Sequence, residues 1–288
     1  MNSEAHEIVS VVIATLGGSS LHETIKRLNS GTIIPTEIIV CIPREHAARV
    51  QGFTYDNVKV LETAIKGQVA QRALGFREAL GDYILQIDDD VLIDGRCLEY
   101  LVRTLKTNGR KAVAGAAIYE TVSDKPVYNK IKKGVVLQRI YYWLLNGKDG
   151  YKQGVVDRAG VNIGVNYLTV NEDEVSVEWL AGGCVAHYKE NLILENFYPF
   201  EGKAYSEDLI HSYLLSSAGN KLIVNVNAKC YIDILCADKM SFKEYWNIFR
   251  FDYRARLYYV KLTEKSLLRM HVYYLTWFMS YCFKHFFR

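Results

Sequence analysis

Gly81-Asp-Tyr-Ile-Leu-Gln-Ile-Asp-Asp-Asp-Val91 decides how the rest of the chain is read. A Gly-Asp turn opens it, Tyr83 to Ile87 make a mostly apolar run of strand length, and three consecutive carboxylates follow where the strand should end. Along an extended backbone alternate side chains share a face, so Asp88 and Asp90 can converge on one target while Asp89 points away. Convergent carboxylates at the carboxyl end of a buried strand repel each other unless something cationic lies between them. A divalent metal carrying a phosphorylated ligand suits that place, and Mg2+ or Mn2+ suits an oxygen-rich set. A solvated acidic loop is the alternative for an isolated Asp triplet.

Upstream, Gly67 to Leu80 reads as a helix with Val69, Ala73, Phe76, Ala79 and Leu80 on or near one face. Gln68 and Arg72 lie four apart, project together and can flank whatever the Asp cluster holds; a solvent-facing pair is the other reading. Ile8 to Ala14 reads as a buried first strand, with second and third strands at Glu37 to Ile42 and Val58 to Leu61. Strands separated by helical segments predict βαβ units and a mostly parallel sheet. The glycines of Thr15-Leu-Gly-Gly-Ser-Ser20 are neither a dinucleotide fingerprint nor a P-loop.

Downstream, Cys97 to Lys106 reads as a helix and Ala112 to Ala117 as a strand. Residues 121–164 form a long insertion that mixes Lys125, Lys130, Lys132, Lys133 and Arg139 with Tyr141, Tyr142 and Trp143, the composition of a lid or substrate loop. Val175 to Leu180 alternates into Trp179 and the small-residue run Ala181-Gly-Gly-Cys-Val-Ala, where the backbone can approach another group closely. Tyr205 to Gly219 predicts an amphipathic helix with Ser206 as N-cap and Gly219 as C-cap. Glu207 and Asp208 in its first turn either complement the helix dipole or supply a general base.

With 288 residues, half of them hydrophobic, the chain can build a substantial core and is not disordered. Its net charge of +3 is unevenly spread: residues 241–288 hold 9 Lys and Arg against 3 Asp and Glu, leaving 26 against 29 before them. Six scattered cysteines show neither C-x-x-C spacing nor zinc-ligand partners, which predicts free thiols in a reducing compartment. The first residues lack the basic-then-apolar order of a signal peptide, so a cytoplasmic location is expected.

In order and spacing, Val-Val-Ile-Ala-Thr15, Pro35-Thr-Glu-Ile-Ile-Val-Cys41, Lys66-Gly-Gln-Val-Ala-Gln-Arg-Ala-Leu-Gly75, the Asp cluster, Ala181-Gly-Gly-Cys and Ser206-Glu-Asp-Leu resemble the family-2 inverting glycosyltransferases of bacterial surface glycans. The resemblance covers about residues 8–235. It implies an α/β GT-A fold, a Rossmann-like mixed sheet flanked by helices, over residues 1–238, with a donor half at about 1–118 and an acceptor half at about 119–238. It also implies roles: Thr15, Glu37, Gln68, Arg72, Asp88 and Asp89 face the nucleotide sugar, Asp90 with Asp88 holds Mg2+ or Mn2+, and Asp208, supported by Glu207, is the base. Trp179, Gly182 and Gly183 then line the acceptor side. The chain departs from the family pattern twice. Cys41-Ile-Pro43 stands where relatives carry an acidic residue, and Cys230-Tyr-Ile-Asp233 stands where they carry a late His, so either Asp233 substitutes or the metal is held by the Asp cluster and the diphosphate.

Residues 239–288 differ in character. Phe242, Tyr245, Trp246, Phe249, Tyr253 and Val260 share a helical face, and Met270 to Phe283 is a 14-residue stretch without charge, short of the ~20 residues that span a bilayer. An interfacial, membrane-associating helical extension is expected, peripheral on the inner face of the cell membrane and suited to a glycan or polyprenyl-diphosphate-linked acceptor. Deleting 267–288 should then free the chain from membranes yet spare transfer to a soluble acceptor analogue. A helical hairpin packed on the enzyme or on a second subunit is the alternative. The aromatics do not form a stacking groove for nucleic acid. Two further readings are a sugar-1-phosphate nucleotidyltransferase, disfavoured because no Lys or Arg follows Leu16-Gly-Gly-Ser-Ser20 until Lys26, and a non-catalytic nucleotide-sugar-binding protein of the same fold.

Overall fold

The computed structural model describes residues 8–128, 136–233 and 241–286. Lys130, Lys132, Lys133, Cys236, the first seven residues and the boundary expected at 238 lie outside the described residues.

Four strands supply the parallel half of the sheet: β1 (Val9–Ala14), β2 (Glu37–Pro43), β3 (Val58–Thr63) and β4 (Tyr83–Asp88). The rest are β5 (Leu92–Ile93), β6 (Ala112–Glu120), β7 (Glu174–Ser176), β8 (Cys184–Tyr188) and β9 (Lys221–Ile232). Their order is β3-β2-β1-β4-β8-β6-β9-β5, with β7 beside β9. Antiparallel β8 separates β4 from β6, while β6 and β9 run parallel, so the sheet is mixed.

Every residue of β1 and β2 is buried, because helices cover both faces. Val11 and Ile13 pack into one cluster with Ile25, Leu101 and Leu105. Val12, facing the other way, packs with Ile39, Cys41 and Phe76. Ile39 and Cys41 belong to β2, and the other partners come from α1 (Leu21–Leu28), α2 (Gln68–Glu78) and α3 (Cys97–Asn108). No helix stands between β2 and β3; a 3-10 turn at Arg44–Arg49 fills the connection. The insertion is not wholly irregular, since it carries α4 (Val136–Asn146).

After α5 (Glu207–Ser217) and β9, the basic aromatic segment forms two long helices, α6 (Phe242–Leu262) and α7 (Leu267–Phe286). A capping box starts α6: Ser241 Oγ accepts from Glu244 N, and the Glu244 side chain accepts from Ser241 N. The two helices pack on the preceding chain, since Ala255, Tyr259, Val260, Met270 and Tyr274 share a buried cluster with Val69, Trp179, Leu209 and Ile210. This is the packed hairpin. No helix among the described residues is long and apolar enough to cross a membrane.

Candidate active site

Residues expected to act together come from strand ends and from the starts of α2 and α5. At the end of β4, Asp88 meets a protein cation: Arg72 Nη2 donates to Asp88 Oδ1, and Gln68 Nε2 donates to the same oxygen at 2.8 Å. Arg72 Nη1 donates to Glu207 Oε1 at 2.6 Å. Burial works against the Arg72 charge, but Glu207 and Asp88 outweigh it and raise its pKa, so the guanidinium stays charged between two carboxylates. The repulsion expected in the Asp cluster is therefore answered at Asp88 by Arg72.

Asp89 turns the other way, but in a turn that follows β4 rather than along the strand: β4 ends at Asp88, and Val91 N donates back to the Asp88 carbonyl at 3.3 Å. Its carboxylate accepts from Thr15 Oγ1, and its carbonyl accepts from Thr24 Oγ1 at 3.1 Å. Asp90 keeps much of its surface in solvent, and its carboxyl is pushed up by partial desolvation and by the Asp88 and Asp89 charges. A cation there would relieve that cost. Among the described residues no three His, Cys, Asp or Glu side chains converge as a metal-holding group. Asp90 and Oδ2 of Asp88, which accepts no described protein hydrogen bond, fit Mg2+ or Mn2+, ions that take one or two carboxylates and complete their shell with phosphate oxygens and water. Asp233 directly follows β9 and is exposed. The antiparallel register of β5 with β9, Leu92 with Tyr231 and Ile93 with Cys230, runs Asp90 toward Asp233 if carried two residues further.

The Gly182-Gly183 pair is required by close approach. A Cβ on Gly182 would lie 2.8 Å from Glu207 Oε1 and 3.6 Å from Asp208 Cβ, and one on Gly183 would lie 3.3 Å from Asp88 Oδ2. The pair thus lets the start of α5 reach the end of β4. Asp208 sits half-buried in the first turn of α5, where burial and the adjacent Glu207 charge push its carboxyl up to about 7. Glu207 is more deeply buried and already holds Arg72.

Two expected members do not join this group. Glu37 begins β2 at the amino ends of the parallel strands, opposite Asp88. It accepts from Ser10 Oγ (2.6 Å), Leu80 N (2.7 Å) and Lys59 Nζ (2.8 Å), and these bonds hold its carboxyl low despite burial. It closes the far end of the sheet and cannot face a ligand at the carboxyl ends. Trp179 is buried, donates from Nε1 to the Ile163 carbonyl at 3.1 Å and meets Tyr128 edge-on, so it belongs to the core rather than to an open surface. Two residues passed over in the sequence do position the site. Gln71 Nε2 donates to the Thr15 and Cys41 carbonyls (3.0 and 2.8 Å), fastening the ends of β1 and β2, and Gln86 Nε2 donates to the Gly182 carbonyl at 2.6 Å. A Gln inside an otherwise apolar strand was the available signal for Gln86, since buried amides need partners.

A family model for glycosyl transferase family 2 matches residues 10–166, more than half of the 288. The chain belongs to glycosyl transferase family 2. Among solved structures, the family-2 chain is similar to GalNAc-T7 with UDP, GalNAc and Mn2+, at a TM-score of 0.58 and 16% identity, over 80% of this chain and 44% of the other. That likeness shows the fold, and the nine-stranded mixed sheet flanked by helices is the GT-A arrangement. The chain spans less than half the length of that structure. No curated protein sequence matches it. The family match includes Thr15, Gln68, Arg72 and Asp88 to Asp90 but ends before α5, so the place of Asp208 in this family-2 site rests on geometry alone.

Proposed function

We propose that the chain is a metal-dependent inverting glycosyltransferase of the hexosyl-transferring type. It moves a sugar from a nucleoside-diphosphate donor to a hydroxyl of a glycan or polyprenyl-diphosphate-linked acceptor in bacterial surface-polysaccharide assembly. The observation that supports it is Asp208: a carboxylate lifted to about 7, one glycine pair away from the carboxylates at the end of β4. A base of that pKa is matched to proton removal near neutral pH.

In this reading the acceptor hydroxyl gives its proton to Asp208 as its oxygen bonds to the anomeric carbon. The bond from that carbon to the diphosphate oxygen breaks, its electron pair leaving with the nucleoside diphosphate, and attack from the opposite face inverts the centre. Glu207 is engaged by Arg72 and leaves the acceptor side to Asp208. Gln68 and Arg72 fix Asp88, and Thr15 fixes Asp89, so the turn carrying Asp90 is set before any donor arrives. Asp90 and Asp88, with Asp233 as a third candidate, would hold Mg2+ or Mn2+, which supplies positive charge against the diphosphate.

Outward-facing Leu137, Ile140 and Trp143 on α4 and Leu268, Leu275 and Met279 on α7, two helices in contact, support a peripheral seat on the inner face of the membrane. Nucleoside diphosphate release from a panel of nucleotide sugars, with Mg2+ or Mn2+ and membrane lipid extract, tests the reading. Metal-dependent release with an inverted anomeric coupling in the product is expected. Release that needs no acceptor and no metal under any donor, or a product of retained configuration, would overturn it.

A further inference from the structure

The residue before the proposed base is in an unusual state. Ser206 has φ 52° and ψ 23°, the left-handed region that non-glycine residues seldom enter, and it is one of three such non-glycine residues among those described. Its side chain caps no backbone N–H of α5. It reaches the C-terminal hairpin instead: Ser206 Oγ donates to Asp252 Oδ1 at 2.8 Å and accepts from Arg256 Nη2 at 3.2 Å.

Arg256 is 5% exposed and joins three separate segments. Its Nη1 donates to the Gly160 carbonyl at 2.6 Å, and its Nε donates to Tyr274 Oη at 3.3 Å. Tyr274 Oη in turn donates to Asp252 Oδ2 at 2.6 Å. Arg256 and Asp252 also pair within α6 at 3.4 Å. Nearby, Tyr198 Oη donates to the Tyr205 carbonyl at 2.9 Å, and the Tyr205 ring stacks on Phe251 of α6. The turn leading into Asp208 is thus gripped from the hairpin side, while Arg72 grips Glu207 from the nucleotide side.

We propose that Arg256, with Asp252 and Tyr274, is a positioning residue for Asp208: the C-terminal hairpin holds Ser206 in its left-handed conformation and thereby aims the base. The inference rests on Asp208 being the base. A left-handed serine persists only where surroundings over-determine it. With the network removed, Ser206 relaxes toward an ordinary N-cap, bonding a first-turn N–H, and the first turn of α5 rotates with it. Arg256 also contributes charge. Asp208 faces Glu207 on its own helix, Arg256, Asp252 and Tyr259 on α6, and Tyr128 before the insertion helix. Arg256 is the favourable cationic neighbour in that set, so losing it disfavours the carboxylate form further.

The full-length chain carrying Arg256→Gln tests this. Expected are a roughly ten- to hundredfold lower kcat, as small misplacements of a reacting group produce, and nucleotide affinity within about twofold. The acid limb of the kcat profile should move to higher pH, and amide exchange at 205–210 should quicken. Arg256→Lys should restore the limb more than it restores kcat, because a lysine keeps charge but not the three-way fork. Tyr274→Phe, which removes one hydroxyl, is the milder variant should Arg256→Gln fold poorly, with a few-fold loss in kcat expected in the same direction. Unchanged exchange at 205–210 together with an unchanged acid limb in folded Arg256→Gln or Tyr274→Phe overturns the proposal. So does an equal loss of nucleotide binding and kcat. The exchange readout needs no turnover, so a failure of the transferase reading remains distinguishable from a failure of the positioning.

Discussion

At Asp208 the chemistry and the stability of the chain pull in opposite directions. Asp208→Asn should lower kcat by about 10²–10⁴-fold while leaving nucleotide binding intact, as steady-state kinetics with titration calorimetry would show. In the unaltered chain kcat should rise with pH through about 7, where Asp208 loses its proton. The sign for folding is the reverse of the usual carboxylate case. Because the folded carboxyl holds its proton more tightly than the unfolded one, its stabilising share is complete below the unfolded value of ~3.9 and is lost as pH rises through about 7. The Asn variant should therefore melt at a higher temperature than the unaltered chain at pH 8, with the gap closing toward pH 4. Arg72 tests the other grip. Arg72→Met leaves Asp88 and buried Glu207 uncompensated and should cost about 3–5 kcal/mol in denaturant unfolding. Much of this site is legible in the sequence, because an apolar run ending in carboxylates marks the end of β4 and an i, i+4 pair sets Gln68 beside Arg72, although Asp89 and Asp90 part in a turn rather than by strand alternation. What sequence spacing does not carry is the Arg72 bond to Glu207, made across 135 residues, or the fate of Glu37, whose role is set by which end of the sheet it occupies.

Among the elements, α2 is the one whose seat decides whether those side chains reach the strand ends. It rests on β1 and β2 through Gly75, where a Cβ would stand 2.6 Å from both Cys41 Sγ and Val12 Cγ1. Gly75→Ala gains helix propensity but overpacks the contact, so a net loss of about 1–3 kcal/mol is expected from chemical unfolding. If the variant is instead more stable, α2 sits less tightly on the sheet than these distances require. The buried strands β1, β2 and β4 announce themselves as largely apolar runs, and α2, α3 and α5 as helical segments, although none of the three starts with a side-chain cap. Other elements are less visible. Strand β8 starts inside the small-residue run after Trp179, where close approach and strand character look alike. Strand β5 is two residues long, and β7 is three, held mainly by pairing with β9.

For the whole molecule, the hairpin changes what truncation should do. Amphipathic, basic and aromatic composition suits both a membrane-seated tail and a packed pair of helices, and composition cannot say which partner takes the apolar face. The structure gives part of that face to the enzyme: Met270 and Tyr274 are buried, and Trp277 packs beside them. Removing 267–288 therefore uncovers the faces of α4 and α6 that α7 covers, Tyr245, Phe249 and Tyr253 among them, at roughly 1.5–3 kcal/mol for each large side chain returned to water. The shortened chain should aggregate or lose cooperative unfolding in calorimetry rather than persist as a free, active enzyme. Recovery of a monodisperse, active chain after that deletion would show that the hairpin is dispensable to the fold.

The reach of Arg256 also bears on how the chain comes off the ribosome. Arg256 is made 50 residues after Ser206, and Tyr274 later still. Strands β1 to β4 and the Asp cluster can be assembled while the turn before Asp208 has nothing to hold it. Translation order thus separates the two halves of the proposed site in time: a nascent chain gains the strand ends around Asp88 first, and the aim of the proposed base only after α6 and α7 have emerged and docked.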